Sequence, residues 1–206
     1  MDTLGKLFGS TAIVKILRLF LFNPTVIFEV PDIVRRAKVQ PETVRFEISM
    51  LERIGLIKKK AFYREIEKKR GKKVTVTKKR SQGYMLDETF ELLEPLQRFF
   101  LETAIIKPDE LIRKLKKAGK LDVVVIAGAF LQDWDSRVDL LVVGNNLKKG
   151  TLEGAIRDIE SEMGMELKYA AFTIEDFKYR LSIRDRLLRD VLDFPHRKLA
   201  NRLDLP

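Results

Sequence analysis

The stretch that decides the N-terminal fold is Thr43-Val44-Arg45-Phe46-Glu47-Ile48-Ser49-Met50-Leu51-Glu52-Arg53-Ile54-Gly55-Leu56-Ile57. Val44, Ile48 and Leu51 recur at helical spacing, which predicts one buried helix face. Pro41 suits the first turn of this helix and Gly55 suits its C-cap, so the helix is expected over 41–54. The opposite face then carries the side chains of Gln40, Glu42, Thr43, Arg45, Phe46 and Ser49.

Two further helices are predicted before this stretch. Ser10 is a good N-cap for the first, whose apolar residues follow helical spacing until Asn23-Pro24 ends it. The second covers 31–37, and Lys38-Val39-Gln40 makes a tight connection to the helix at 41. Two helices of about two and four turns joined by so short a link match the outline of a helix-turn-helix.

A basic hairpin is predicted after the helices. Leu56–Ile66 and Val74–Leu86 have strand character, with Val74 and Val76 alternating with threonines, and Gly71 suits the turn between them. Residues 58–80 hold twelve basic and two acidic side chains. Because the basic residues alternate with others and do not cluster at a chain end, we expect a folded ribbon and not a disordered tail.

The positive charge is confined to the first part of the chain. Residues 1–83 hold 20 basic and 8 acidic side chains, whereas the remaining 123 of the 206 residues hold 20 basic and 22 acidic. Charge placed this unevenly predicts a basic module that meets a polyanion, followed by a nearly neutral domain. The alternative is a basic face that contacts only solvent. It does not explain why the surplus of positive charge coincides with the helix-turn-helix and its hairpin.

Double-stranded DNA is the polyanion that these elements predict, because a protruding helix fits the wide major groove of B-form duplex and not the narrow one of RNA. Arg45 can fork onto guanine, Gln40 can bridge an adenine, and Thr43 or Phe46 can contact a thymine methyl. A second placement of Phe46 stays open, as core beneath the hairpin. Phosphate contacts are expected from the basic residues of the hairpin: Lys58, Lys59, Lys60, Arg64, Lys68, Lys69, Arg70, Lys72, Lys73, Lys78, Lys79 and Arg80.

Residues 10–83 resemble a winged helix-turn-helix transcription regulator of the arsenic-repressor or multiple-antibiotic-resistance-repressor type. The quoted stretch carries the resemblance, and its ending Leu51-Glu52-Arg53-Ile54-Gly55-Leu56-Ile57 is the usual passage from recognition helix to wing. The resemblance implies a DNA-binding domain over 1–86. The metal-sensing cysteines and histidines of the arsenic-repressor type are missing, so metal sensing is not implied.

The second half alternates strands with helices, so the chain is expected to be α+β. A helical linker is predicted over 87–119, with its phenylalanines as the seam of a homodimer, and an α/β domain with a small mixed sheet over 120–206. The predicted strands are Leu121–Ala127, Val138–Gly144 and Glu166–Thr173, and the predicted helices lie at 87–106, 108–118, 151–163 and 174–192.

The segments Ile126-Ala127-Gly128-Ala129 and Ser136-Arg137-Val138-Asp139 resemble the signature of a minimal nucleotidyltransferase. Gly128, Ser136 and Asp139 match that pattern, but Ala129 stands where a phosphate-contacting serine belongs and Arg137 where the first metal carboxylate belongs. Arginine repels magnesium, so the resemblance implies a vestigial nucleotide site without catalysis. Asp139 is expected to contact Arg137 or a backbone amide, and phosphate binding by Arg137 stays open.

Composition removes many other functions. The chain has no cysteine and one histidine, His196, which excludes thiolate chemistry and leaves little material for a metal site, and no cofactor is predicted. No apolar run reaches the roughly 18 residues of a membrane span, and the N-terminus lacks a signal-peptide pattern, so a cytosolic protein is expected.

The sequence therefore predicts a dimeric, sequence-specific regulator of transcription that binds double-stranded DNA and is not an enzyme. Two alternatives stay open. One is a nucleotidyltransferase that acts on a protein or an RNA, and the other is an antitoxin-like interaction protein whose α/β half docks on another chain.

Overall fold

The computed structural model describes residues 3–70, 73–103 and 106–205; for 66–70 and 73–75 it describes the backbone only. The described chain is a mixed α+β protein with nine α-helices and two small sheets, which agrees with the predicted class. It divides into two compact units, one ending at Thr103 and the other beginning after it.

The first unit is a helical core with one long hairpin. Its helices are α1 (Thr3–Leu7), α2 (Thr11–Leu21), α3 (Val30–Ala37), α4 (Pro41–Arg53) and α5 (Leu93–Thr103). Ser10 caps α2 as predicted, its side chain accepting a hydrogen bond from the amide of Ile13 at 3.3 Å. Gly55 follows α4 with a φ of 81°, the left-handed conformation that a glycine adopts without steric cost.

The basic hairpin consists of β1 (Ile57–Arg70) and β2 (Lys73–Leu86), paired antiparallel from Ile57 opposite Leu86 to Arg70 opposite Lys73. Each strand has 14 residues, so at about 3.3 Å per residue the hairpin is roughly 45 Å long. Its base is apolar, since Leu56, Ile57 and Leu86 are buried in the core of the helices. The turn expected at Gly71 lies outside the described residues.

A main-chain pairing joins the hairpin to the segment between α2 and α3. Phe28 and Tyr84 exchange two backbone hydrogen bonds, each of 2.8 Å. Gly83 permits this approach, because a Cβ there would lie 2.8 Å from the carbonyl oxygen of Phe28. The ring of Phe28 packs edge-on against Phe20 with centroids 5.5 Å apart, so the pairing is continuous with the core.

The segment predicted as a linker contributes to both units. Phe100 of α5 is fully buried in the core of the first unit, whereas Leu111 and Leu115 of α6 (Pro108–Leu115) are buried in the second. The single helix expected over 87–106 is shorter, because 87–92 form turns before α5 begins at Leu93.

The second unit is built on a four-stranded mixed sheet of order β5-β4-β3-β6. Its strands are β3 (Val123–Ile126), β4 (Leu140–Val143), β5 (Tyr169–Phe172) and β6 (Arg197–Asn201). β4 runs antiparallel to β3 and parallel to β5. The residues of β3 and β4 are buried, as their uninterrupted apolar runs predict. The sheet therefore has the small, mixed character expected from the sequence.

Helices complete the second unit, with α7 (Lys149–Met163) after β4 and α8 (Ile174–Ser182) and α9 (Arg186–Leu192) after β5. The single helix predicted over 174–192 is wrong. Arg184 takes a left-handed conformation with a φ of 54°, and the Asp185 side chain caps α9 by accepting hydrogen bonds from the amides of Leu187 and Leu188. β6 was not predicted, and it pairs antiparallel with β3.

None of the helices in the described part of the chain combines the length and the apolar character that a membrane crossing requires.

We expect Gly83→Ala to detach the base of the hairpin from Phe28. The added methyl would meet backbone at 2.8 Å, and overpacking of this kind costs about 1–3 kcal/mol. Hydrogen exchange measured by NMR should show lost protection at the amides of Phe28 and Tyr84. The neighbouring exposed change Gln82→Ala is the control and should leave both amides protected. Equal protection in the two variants would contradict the role assigned to Gly83.

Candidate functional site

The face of α4 that the sequence assigns to base contacts points to solvent. Val44, Glu47, Ile48 and Leu51 are buried against the helical core. Thr43 is half-buried, and the other members of the predicted set are exposed: Gln40, Glu42, Arg45, Phe46 and Ser49. The helix therefore presents a continuous outer surface of mixed polar and apolar character.

Phe46 decides between the two placements left open by the sequence. Its side chain is 70% exposed, so it is not part of the core beneath the hairpin. Met50, one turn further along the same helix, is also exposed. Phe46 and Met50 therefore form a small apolar strip on the exposed face of α4.

One flank of α4 faces the hairpin. Arg45, Ser49 and Glu52 succeed one another at helical spacing along this flank. Glu52 binds the ammonium of Lys59 at 2.9 Å, and this bond raises the pKa of Lys59 above its ordinary value. The row of Arg45, Ser49 and Glu52 therefore ends at a residue that contacts β1.

The predicted phosphate contacts on the hairpin fall into three groups. Lys58 binds Asp87 at 3.0 Å and Arg64 binds Glu29 at 3.0 Å, so both are held by acids of the same unit. Lys59 likewise has an acidic partner, Glu52, whereas Lys60, Lys78, Lys79 and Arg80 are exposed. The remaining members lie outside the described side chains: Lys68, Lys69, Arg70, Lys72 and Lys73.

The sequence did not predict that a carboxylate of α4 is buried. Glu47 is 6% exposed, and its Oε1 accepts a hydrogen bond of 3.2 Å from the hydroxyl of Ser10. Ser10 thus caps α2 and also contacts α4, two helices apart in the chain. No local pattern relates positions 10 and 47, so this contact depends on the tertiary fold.

In the second unit, Asp139 is buried at the start of β4 and both of its carboxylate oxygens are occupied. The carboxylate is 4% exposed; Oδ1 accepts from the amide of Ala129 at 2.8 Å and Oδ2 from the amide of Lys168 at 2.7 Å. The carboxylate thereby joins the segments that follow β3 and precede β5. Of the two contacts anticipated for Asp139, the structure has the one to backbone amides.

Gly128 and Ser136 lie beside Asp139, and Arg137 does not contact it. A Cβ on Gly128 would lie 2.2 Å from Oδ1 of Asp139, and Gly128 has a φ of 51°. Ser136 donates its hydroxyl to the carbonyl of Val138 at 2.9 Å. Arg137 is paired instead with Asp190 of α9 at 3.3 Å.

The described residues hold no group of three or more histidine, cysteine or acidic side chains that could bind a metal ion. A cleft of about 420 Å³ lies at α8 and α9, and Gly128, Ser136, Arg137 and Asp139 are not in its lining, which comprises Leu181, Arg184, Asp185, Leu188, Arg189, Leu192 and Asp193. Of these positions, Gly128, Ser136 and Asp139 thus lie together at a hydrogen-bonded junction, whereas Arg137 is paired elsewhere.

Comparison of the chain with protein-family models, with curated proteins and with solved structures finds no match.

We expect Lys58→Ala to raise the pKa of Asp87 part of the way toward its ordinary value. The pKa of Asp87 is lowered first by the hydrogen bond from the Thr89 amide and then by Lys58, so the amide still acts in the variant. Because the folded-state pKa is lowered, the ionised carboxyl stabilises the fold above its ordinary pKa, and this is lost as the pH falls through the lowered value. A carboxyl NMR titration measures the shift, and an unchanged pKa would contradict it.

We expect Asp139→Asn to destabilise the second unit by about 1–3 kcal/mol, because one buried amide would face an NH₂ group in place of an acceptor. Trp134 is the single tryptophan and lies in this unit, so its fluorescence during urea unfolding monitors this unit specifically. Asp190→Asn is the matched control. It removes only a partly exposed ion pair with Arg137, at a cost of about 0–1 kcal/mol. Similar losses in both variants would show that the Asp139 junction is dispensable.

Proposed function

We propose that this chain is a sequence-specific regulator that binds double-stranded DNA through a winged helix-turn-helix formed by α2–α4 and the basic hairpin. α4 acts as the recognition helix and the hairpin as the wing. The observation that carries the proposal is the outer face of α4, where Arg45 and Phe46 are exposed beside a strongly basic ribbon.

The order of elements supports this function. α3 and α4 are separated by only Lys38, Val39 and Gln40. Phe28, between α2 and α3, pairs with Tyr84 of β2, next to the buried base of the hairpin. This connectivity sets a helix and a ribbon on one scaffold. A helix that displays its side chains in this way enters the major groove, while the cations of the ribbon meet phosphates on either side.

The outer face of α4 has the chemistry of a base reader. Arg45 can donate two hydrogen bonds to guanine O6 and N7, and Gln40 can pair with the adenine edge. Phe46 offers an apolar surface that suits the methyl group of thymine. Those basic residues of the hairpin that meet phosphates contribute affinity without sequence information.

We further propose that the chain works as a homodimer, since one recognition helix reads few base pairs and two half-sites increase specificity. The aromatic cluster formed by Phe8, which follows α1, and by Phe99 and Phe100 of α5 is the candidate seam. Phe8 lies 5.6 Å from Phe100 and 6.5 Å from Phe99 between ring centroids, and Phe8 and Phe99 are each 37% exposed. A dimer would protect two half-sites about one helical turn apart in a footprint.

The second unit is proposed to have a structural or regulatory role and no phosphoryl-transfer activity. Two-metal catalysis needs carboxylates that converge on cations. Asp139 has both oxygens on backbone amides, and Arg137 occupies the place of the other acid.

We expect the protein to shift mixed-sequence duplexes in a gel and to lose affinity steeply as salt rises. Selection from a random duplex pool should then yield a preferred sequence. Arg45→Ala should reduce the preference for that sequence by about 1–3 kcal/mol, or roughly 5- to 150-fold, because the bidentate base contact is lost.

Arg98→Ala is the matched control for Arg45→Ala. Arg98 is an exposed arginine of the same unit that pairs with Glu94 on α5, away from α4. It should keep the selected preference. Binding that is absent, indifferent to salt or unselective for sequence would overturn the proposed function.

A further inference from the structure

The register of the hairpin assigns its side chains to two distinct faces. Residues directly opposite one another in an antiparallel pair point to the same side, and neighbours in a strand alternate. One face, here called the inner face, carries Ile57, Lys59, Ala61, Tyr63 and Glu65 with Lys78, Arg80, Gln82, Tyr84 and Leu86. The outer face carries Lys58, Lys60, Phe62 and Arg64 with Lys79, Ser81, Gly83 and Met85.

Contacts with the helices show which way each face is turned. On the inner face, Ile57 and Leu86 are buried in the helical core, and Lys59 binds Glu52 of α4. On the outer face, Arg64 binds Glu29, the residue that precedes α3. The inner face is therefore the one on the side of α4, next to the row of Arg45, Ser49 and Glu52.

Each face carries both paired and unpaired cations, since Lys60 and Lys79 of the outer face are exposed and make no ion pair with any described residue, whereas Lys59 of the inner face binds Glu52. The outer-face residues Lys58 and Arg64 have acidic partners at 3.0 Å. On the inner face, Lys78 and Arg80 are exposed and make no ion pair with any residue that the structure describes. Of the unpaired cations, Lys78 and Arg80 are the ones on the face turned toward α4.

An exposed aromatic side chain accompanies this charge. Tyr63 is 70% exposed and lies directly opposite Arg80, so their Cβ atoms are about 4.5–5.5 Å apart. Lys78 lies opposite Glu65, whose charge partly offsets it, so Arg80 is the stronger anion ligand of the two. A guanidinium beside an aromatic ring can bind a phosphate while the ring covers the adjoining sugar.

We propose that the hairpin binds duplex DNA through its inner face alone, with Tyr63 and Arg80 as a paired contact to the sugar-phosphate backbone and Lys78 as an additional charge. Lys60, Arg64 and Lys79 of the outer face do not contact the duplex. This inference rests on the proposed function. It removes the phosphate contacts that the sequence predicted for the outer-face residues Lys58, Lys60, Arg64 and Lys79.

The test compares two double variants that remove the same charge from opposite faces of one ribbon, Lys78→Ala/Arg80→Ala and Lys60→Ala/Lys79→Ala. Affinity for a mixed-sequence duplex of about 30 base pairs is measured from 50 to 200 mM salt. Loss of two phosphate contacts lowers the salt slope by about 1.8, so the affinity lost across this range should shrink roughly tenfold in the first variant and stay as in the wild type in the second. Equal slopes in the two variants, or a larger change in the second, would overturn the inference.

Tyr63→Ala supplies a readout that is independent of charge. It should weaken binding severalfold while leaving the salt slope unchanged, whereas Phe62→Ala on the outer face should not weaken it. Wild-type protein that binds no duplex at all refutes the proposed function itself, which distinguishes that failure from a failure of the face assignment.

Proximity labelling avoids any dependence on folding differences between the variants. The natural chain has no cysteine, so Arg80→Cys and Lys79→Cys each introduce a unique attachment point for a photo-crosslinker. Crosslinking to the duplex should be strong from position 80 and weak from position 79. Equal yields from the two neighbouring positions would contradict a one-sided contact.

Discussion

The anchoring of the hairpin's base is the constraint on which the first unit depends. Leu56, Ile57 and Leu86 are buried among the helices, and the paired amides and carbonyls of Phe28 and Tyr84 fix β2 beside the helical core. Without this attachment a two-stranded ribbon is only marginally stable in water. Because the base is held by both apolar burial and main-chain bonds, the direction of each face of the ribbon relative to α4 is defined.

Charge in this unit is arranged in two ways with different consequences. Some cations of the ribbon are paired with acids near its base: Lys58 with Asp87, which directly follows β2, and Arg64 with Glu29, which precedes α3. Others, such as Arg80, are left exposed without an acidic partner among the described residues. The number of basic residues alone is therefore a poor guide to the affinity for a polyanion, because some of them already have acidic partners. The proposed mode of DNA binding relies on the basic residues that have none, such as Arg80.

The second unit shows how a carboxylate can keep its position in a sequence pattern while serving the fold. Asp139 accepts hydrogen bonds from the amides of Ala129 and Lys168. These bonds join the segment that follows β3 to the segment that precedes β5. Gly128 is required there for room, since a side chain would displace Oδ1. Burial and two charge-assisted hydrogen bonds make this carboxylate a structural element.

Local chemistry in the sequence determined the elements whose causes are local. The cap at Ser10, the helix opened by Pro41, the glycine after α4 and the apolar runs of β3 and β4 follow from backbone conformation and hydrophobic spacing within a few residues. The outward position of Phe46 and the pairing of Arg137 with Asp190 were decided only by the tertiary structure. The same is true of β6, of the division of 87–119 between two cores and of the contact between Ser10 and Glu47. Each of these depends on segments distant in the chain coming together, and no periodicity or spacing along a single chain encodes which distant partner a side chain meets.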